Sequence, residues 1–302
     1  MGVVKMKTYH KESYLPTKSF SDLLNEVMYG GYYAALGSPL LILSVSILLN
    51  TKCDVQIMAM SYLLPLIVYS YDYYKDLKKD NAVDSERTAF LSEKSKKYPL
   101  ILTSYILTLI FLIFLFSNVK LTLFIIGLVV SGILYTTAFK GVTKRIPFFK
   151  NIYTAITWAM GGTFFLIFYY SMGITTPFLL IFLVIFIRIL INIIFFDLKD
   201  IDADRNEGLK TLPAILGKKK SINFLHLLNM FSFLPILLGV YLGWIPNFAL
   251  ALLIFFFYVF YYIQKSENLE GDNLHRISHT MADSEFVMWP LVLIIAKLII
   301  PV

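Results

Sequence analysis

The chain has 302 residues, of which 58% are hydrophobic and only 16% charged, and its mean hydropathy is +0.70; a soluble domain of this size is far more polar. Its net charge of +7 comes from basic residues in short loops between apolar runs, a pattern that the positive-inside rule explains and nucleic-acid binding does not. The lone cysteine, Cys53, excludes an intrachain disulfide framework and a thiolate metal cluster within one chain.

Residues 1–20 lack the apolar core of a signal peptide, and Lys7 stands where a myristoylation motif after Gly2 requires Ser or Thr. A bilayer core needs about 20 apolar residues per helix, which predicts an all-α integral membrane protein with about nine spans. They lie near 23–49, 54–74, 98–117, 119–139, 151–171, 175–197, 221–242, 246–264 and 284–301. Between the third and fourth only Ser117, Asn118, Val119 and Lys120 interrupt the apolar run. About 40 residues is too long for one crossing, so a tight hairpin is predicted there.

Of the 27 Lys and Arg residues, 23 fall in the N-terminal segment and in the loops after even-numbered spans. Lys52 and Lys120 lie on the other side, and Arg188 and Lys297 lie within spans. The N-terminus and the loops 75–97, 140–150, 198–220 and 265–283 are therefore predicted to be cytoplasmic. Both acidic clusters of the chain lie on that side.

The second span ends in YSYDYYKDLKKD, which places Asp72, Asp76 and Asp80 at i, i+4 and i+8. The sixth ends in FFDLKDIDADRNEG, which places Asp197, Asp200 and Asp204 at i, i+3 and i+7. If each helix runs on, three carboxylates share one face. Like charges at that spacing repel, and near a bilayer they are costly to desolvate, so they call for a cation. Magnesium suits, being a hard ion that takes one or two carboxylates and completes its octahedron with water and phosphate oxygens. The plainer reading is a solvated surface neutralised by Lys75, Lys78, Lys79 and Lys199. Two matched stripes on one side favour a cradle for metal ions and a diphosphate.

These segments resemble those of the UbiA superfamily of intramembrane prenyltransferases. The run DLKDIDADRNEGLKTLPAILGKKK is similar to the family's second motif almost throughout, and DYYKDLKKD resembles the first, with Asp72 at a position where many relatives have Asn. SERTAF (85–90) and LYTTAFK (134–140) are shorter likenesses. The resemblance implies one membrane-embedded domain over 1–302, its helices around a central cavity with a cytoplasmic cap. It implies that magnesium on Asp72, Asp76, Asp200 and Asp204, assisted by Asp80 and Asp197, holds the diphosphate of an isoprenyl donor. The prenyl chain then passes to a lipophilic or aromatic acceptor.

Lys140, Arg87 and Arg205 are candidate diphosphate clamps, though each taken alone reads first as a membrane-surface cation. Tyr135 reads as an interfacial ring or a hydrogen-bond donor to the diphosphate. Arg188 lies inside a span and must face a cavity or a partner, with Asn192 one turn further on the same face; a structural polar network is the first reading. Lys297 near a span end is predicted to snorkel. His275 and His279 stand at metal-pair spacing only if their loop is helical, and no third ligand of zinc type is evident, so a lid segment is expected. The aromatic run 255–263 reads as lipid-facing packing.

Two other classes fit less well. A phosphatidyltransferase would carry a DGxxAR segment, which is missing, and a transporter would carry ionisable residues near the midplane and internal repeats.

Overall fold

The structure is a computed structural model that describes residues 26–28, 30–76 and 97–300. Among these residues every regular element is helical. The long helices, in chain order, are α1 (Tyr32–Leu48), α2 (Val55–Asp76), α3 (Tyr98–Phe116), α4 (Val119–Thr143), α5 (Phe149–Tyr169), α6 (Thr176–Asp197), α7 (Lys218–Tyr241), α8 (Asn247–Ser266) and α9 (Asp283–Ile299).

Six of them, α3 to α8, are long and apolar enough to cross a bilayer, which makes this an integral multi-pass membrane protein. A helix stands at each of the nine expected places among the described residues, but the remaining three fall short on composition or length. As described, α1 and α9 have 17 residues each, below the ~20 that a straight crossing takes, and α2 is diluted by Tyr, Ser, Asp and Lys. The expected ends shift by a few residues, as is usual for helix termini.

The α3–α4 hairpin forms where the sequence predicts it. Asn118 accepts a hydrogen bond from Leu121 N at 2.8 Å and so caps α4, while its Nδ2 donates to Phe168 O at 2.7 Å. One side chain thus closes the turn and ties it to the end of α5. Thr175 caps α6 in the same way, accepting from Phe178 N at 3.4 Å, with Pro177 in the first turn, where it costs no hydrogen bond.

Burial grades across the bundle. α3 is apolar all round and exposes Leu100, Leu107, Ile110, Phe111 and Phe114, as a lipid-facing helix does. α6 is central, burying Ile181, Val184, Ile185, Ile189, Ile191 and Phe195, with its most extensive contacts to α5 and α7. Close packing is visible at Gly162, where a Cβ would lie 3.0 Å from that of Leu41; small residues admit such approaches between helices in lipid.

Outside the predicted helices, Cys53 is half-buried and burial pushes its thiol up from the ordinary range, which suits an inert filler. Lys297 reaches Asn50 at 2.8 Å and lies over the Phe248 ring, the snorkelling expected near a helix end. The run 255–263 divides, with Phe257, Phe260 and Tyr261 exposed and Phe255, Val259, Tyr262 and Ile263 buried.

Replacing Asn118 with Ala removes the cap and the tie to α5 together. The expected loss is about 1–2 kcal/mol, seen as a lower thermal unfolding midpoint of the protein in detergent.

Candidate active site

The two acidic segments end on one cavity. α6 stops at Asp197, passes through a 3-10 turn at Leu198–Asp200 and resumes as Ile201–Asn206. The sequence predicts one continuous face for Asp197, Asp200 and Asp204, but the tighter turn, with three residues per turn rather than 3.6, divides them. Asp197 and Asp204 point inward and are buried. Asp200 is the most exposed of the three and pairs with Lys199 at 2.6 Å.

Lys150 stands between the two inward carboxylates. Its ammonium donates to Asp197 Oδ1 at 2.7 Å and lies 3.8 Å from Asp204 Oδ2. Asn151 Nδ2 donates to Asp197 Oδ2 at 2.8 Å, and Thr211 Oγ1 donates to Asp204 Oδ2 at 2.7 Å. The same residues hold the following loop: Leu212 N donates to Asn151 Oδ1 at 3.1 Å, and Thr211 caps the short helix Leu212–Leu216. Two backbone bonds, Phe148 N to Lys210 O at 2.8 Å and Lys210 N to Thr143 O at 3.1 Å, join the α4–α5 loop to this segment. The Thr-Leu-Pro run is therefore part of the scaffold that fixes Asp204.

From the other side, α2 delivers Asp72 to the wall of the cavity and ends at Asp76. Asp80, Arg87 and the segment 85–90 lie outside the described residues. The cavity has two lobes that share Tyr69, Asp72, Thr154 and Trp158. The first, about 250 Å³, is walled by Leu64, Val68, Leu128 and Val129, with Tyr135, Lys150 and Tyr153 at its polar end. The second, about 300 Å³, lies between α1, α2, α6 and α9 and carries Asn192, Asp197, Lys199, His279 and Asp283. Tyr135 begins a π turn, Tyr135–Phe139, and stacks on Tyr153 with ring centres 5.8 Å apart; π turns recur at functional positions.

The remaining candidates are placed elsewhere. Lys140 pairs with Glu207 at 2.7 Å on the surface, and Arg205 Nε donates to Ala214 O at 2.8 Å, bracing the short helix. Neither lines the two lobes. Arg188 is fully buried: Nε donates to Glu285 Oε1 at 2.7 Å, Nη1 to Asn229 Oδ1 at 2.6 Å and Nη2 to Phe255 O at 3.2 Å. That is the structural network expected for a charge inside a span. His275 and His279 lie on helical backbone with ring centres 4.5 Å apart. Among the described residues no three His, Cys, Asp or Glu side chains are grouped to hold a metal.

Sequence reasoning missed Lys150, Asn151, Thr211 and Asp283. The signal at the first two was a Lys-Asn pair just inside an apolar span; at Asp283 it was an acidic residue at the start of the last one.

Lys150→Met strands the Asp197 carboxylate in a buried position. Removing one partner of such a pair costs about 3 kcal/mol, so thermal unfolding in detergent is expected at a clearly lower temperature. The double variant Lys150→Met/Asp197→Asn, which removes both charges, recovers most of it.

The family model described as the UbiA prenyltransferase family matches residues 71–279. Among curated proteins, the digeranylgeranylglyceryl phosphate synthase of Natronomonas pharaonis is 43% identical over 53 residues, 16% of this chain and 19% of that relative. The protein of the same name from Pyrococcus horikoshii is 39% identical over 56 residues, 17% of this chain and 20% of its own length. The aligned part thus spans about a fifth of each. Solved structures match along nearly the whole chain. A UbiA homologue from Archaeoglobus fulgidus bound to GPP and Mg2+ aligns with a TM-score of 0.61 at 11% identity, over 89% of this chain and 98% of that one. A digeranylgeranylglyceryl phosphate synthase structure gives 0.58 at 16% identity, over 91% and 100%. A UbiA homologue from Aeropyrum pernix gives 0.56 at 12% identity, over 91% and 98%. With the family model matched over more than half of its length, and with helices folded as in these relatives, the chain belongs to the UbiA prenyltransferase family.

Proposed function

We propose that this protein is a magnesium-dependent prenyltransferase that ionises an isoprenyl diphosphate and moves the prenyl chain to a lipophilic or aromatic acceptor, releasing diphosphate. The observation that carries this reading is the meeting of both acidic segments, through Asp72 and Asp197, on one cavity whose other walls are apolar. Family membership supports it, as do the structures described as bound to GPP or DMAPP with Mg2+ and the relatives named for a prenylated glyceryl phosphate.

The donor set fits the metal. All the groups concerned are hard carboxylates, and the acidic segments already attract cations, since Lys150 bridges Asp197 and Asp204 and Lys199 sits on Asp200. A ready-made three-ligand cage is not needed, because magnesium takes one or two carboxylates and fills its shell with water and phosphate. In this reading Asp72, Asp76, Asp200 and Asp204 hold the ion or ions, and Asp80 and Asp197 assist. Bound magnesium supplies neutralisation of the charge that develops on the leaving diphosphate. Tyr135 and Lys150 line the polar end of the first lobe, where a diphosphate oxygen finds hydrogen-bond donors. In this reading Lys140, Arg87 and Arg205 are further cations for the diphosphate, Lys140 by exchanging Glu207 for it. The apolar wall of Leu64, Val68, Leu128 and Val129 receives the prenyl chain and keeps water from the allylic cation.

The same reading takes the chain as a single membrane-embedded unit with nine crossings. It puts the acidic segments and the loops 140–150 and 198–220 on the cytoplasmic face as a cap, in line with the distribution of Lys and Arg. Sidedness has a direct check. In a Cys53→Ala background, Ile146→Cys and Ile174→Cys each place a thiol at an exposed loop position. An impermeant maleimide applied to sealed cells is expected to label the second and leave the first untouched.

The activity is tested with the purified protein, radiolabelled geranylgeranyl diphosphate and magnesium. Asp76→Ala and Asp204→Ala are each expected to lower diphosphate release by at least about a hundredfold and to weaken donor binding. Donor binding equal to wild type in both variants sinks the cradle.

A further inference from the structure

Basic residues converge at one point on the surface of the bundle, away from the cavity. α4 ends at Thr143 and α5 begins at Phe149, so the five residues 144–148 turn the chain between two helices long and apolar enough to cross the bilayer. A loop that short lies at the level of the lipid head groups. Lys144, Arg145, Ile146 and Pro147 are all exposed, Ile146 by 52%. The segment after α6 brings a third cation to the same place. Lys210, also exposed, donates through its amide to Thr143 O at 3.1 Å and through Nζ to Arg145 O at 3.5 Å, while its carbonyl accepts from Phe148 N at 2.8 Å. None of the three cations lines either lobe of the cavity.

No acid offsets them. Lys144, Arg145 and Lys210 make no ion pair among the described residues. The acids of the stretch 201–210 are engaged with other cations: Asp202 lies 4.0 Å from Arg205, Asp204 3.8 Å from Lys150 and Glu207 2.7 Å from Lys140. The positive-inside tendency accounts for the sign of such residues, but not for the backbone bonds that carry Lys210 onto the Lys144-Arg145 pair. Like charges gathered in this way repel one another unless an anion joins them. At a membrane surface the anion at hand is a lipid phosphate, which Arg meets with a planar fork and Lys with a point charge. The apolar pair Ile146 and Pro147, exposed beside the cations, suits the boundary between head groups and acyl chains. A soluble anion gains nothing from that apolar tip.

We propose that Lys144, Arg145 and Lys210 form a binding site for the phosphate of an anionic membrane lipid, with Ile146 and Pro147 set in the interface beneath it. The inference goes beyond prenyl transfer and does not depend on it. Its place in the fold gives it a consequence for the carboxylates. Leu209 N donates to Asp204 O at 2.8 Å and Thr211 Oγ1 to Asp204 Oδ2 at 2.7 Å, so Lys210 stands between the two residues that hold Asp204. A head group seated on Lys210 steadies that segment.

The test follows lipid binding to the purified full chain in detergent by native mass spectrometry, comparing dioleoylphosphatidylglycerol with dioleoylphosphatidylcholine, and reads hydrogen exchange on the same samples. Each Lys or Arg near a charged membrane surface strengthens the attraction about fivefold, so wild type is expected to prefer the anionic lipid by at least about tenfold. Lys144→Gln/Arg145→Gln/Lys210→Gln is expected to lose that preference, and Lys144→Gln/Arg145→Gln to lose most of it. Lys219→Gln/Lys220→Gln/Lys265→Gln, which removes the same charge from other exposed positions, is expected to keep it. In wild type the anionic lipid is expected to slow exchange over 143–149 and 208–212, and inorganic phosphate at equal concentration to leave it bound. Equal thermal midpoints show that the variants fold; if the first does not, the Lys144→Gln/Arg145→Gln variant carries the comparison.

The proposal is overturned if wild type does not distinguish the two lipids, or if the variants at 144, 145 and 210 and the variant at 219, 220 and 265 lose the preference alike, because net charge alone then governs. Slowed exchange elsewhere in the chain but not over these two segments also overturns it. So does displacement of the lipid by inorganic phosphate, which makes the cluster a site for a soluble anion.

Discussion

The ion bridge of Lys150 to Asp197 and Asp204 is the interaction on which the site depends. It joins the start of α5 to the end of α6 and to the segment beyond it. Burying carboxylates at the edge of an apolar bundle is unfavourable unless each is paired and hydrogen-bonded. The fold meets both conditions, with the lysine supplying the charge and Asn151 and Thr211 supplying the remaining hydrogen bonds. Because Asn151 also holds Leu212 N, and Thr211 also caps the short helix after it, this loop and the two buried carboxylates are fixed together. The 3-10 turn at Leu198–Asp200 follows from the same requirement: an uninterrupted α-helix would spread the three aspartates along one stripe, whereas the turn lets two reach Lys150 and leaves the third to Lys199.

A second buried charge organises the other half of the bundle. Arg188 reaches α7, α8 and α9 at once, through Asn229, the Phe255 carbonyl and Glu285, and its guanidinium lies 4.7 Å from the centre of the Phe233 ring. α7 is interrupted between Phe231 and Leu234, and Ser232 in that interruption accepts from Arg188 at 3.2 Å. Asn229 also donates to Phe256 O at 2.9 Å. In a bilayer no water is at hand to satisfy these groups, so the break in α7 and the buried arginine are tolerated together. The result is a rigid support for α6, which also presents Asn192 and Asp197 to the cavity.

Much of this was legible in the sequence because membrane helices announce themselves by uninterrupted apolarity, and a carboxylate beside such a run is conspicuous. The hairpin at Asn118, the helical spacing of His275 and His279 and the buried network of Arg188 could all be read from local pattern and the cost of charge in lipid. Lys150 could not. As one of several cations in a basic loop it looked like a topology signal, and only the packing of α5 on α6 turns it toward Asp197. Asp283 was hidden in the same way, as an ordinary first-turn acid of the last helix. Lys140 and Arg205 have partners that no motif announces: Lys140, in the short likeness 134–140, pairs with Glu207, and Arg205, in the long second segment, donates to the Ala214 carbonyl. Charge partners across helices are long-range facts, and a single sequence does not encode them in any short window.

The division of the cavity gives the proposed chemistry a spatial logic. Tyr69 and Trp158 belong to both lobes, with ring centres 6.4 Å apart, and Tyr73 stacks on Tyr69 at 6.2 Å. Aromatic faces attract cations through their quadrupole, by up to about 2 kcal/mol when water is absent. An allylic cation formed beneath the carboxylates would thus be held where rings rather than water surround it, at the junction the two lobes share. Asp72 stands at that junction as well, so on the proposed reading a carboxylate that holds the diphosphate borders both lobes. The two lobes otherwise differ in their walls: Leu128 and Val129 of α4 line only the first, and Asn192 of α6 and Asp283 of α9 only the second. Substitutions at those positions reshape one lobe alone, whereas changes at Tyr69, Asp72, Thr154 or Trp158 alter both.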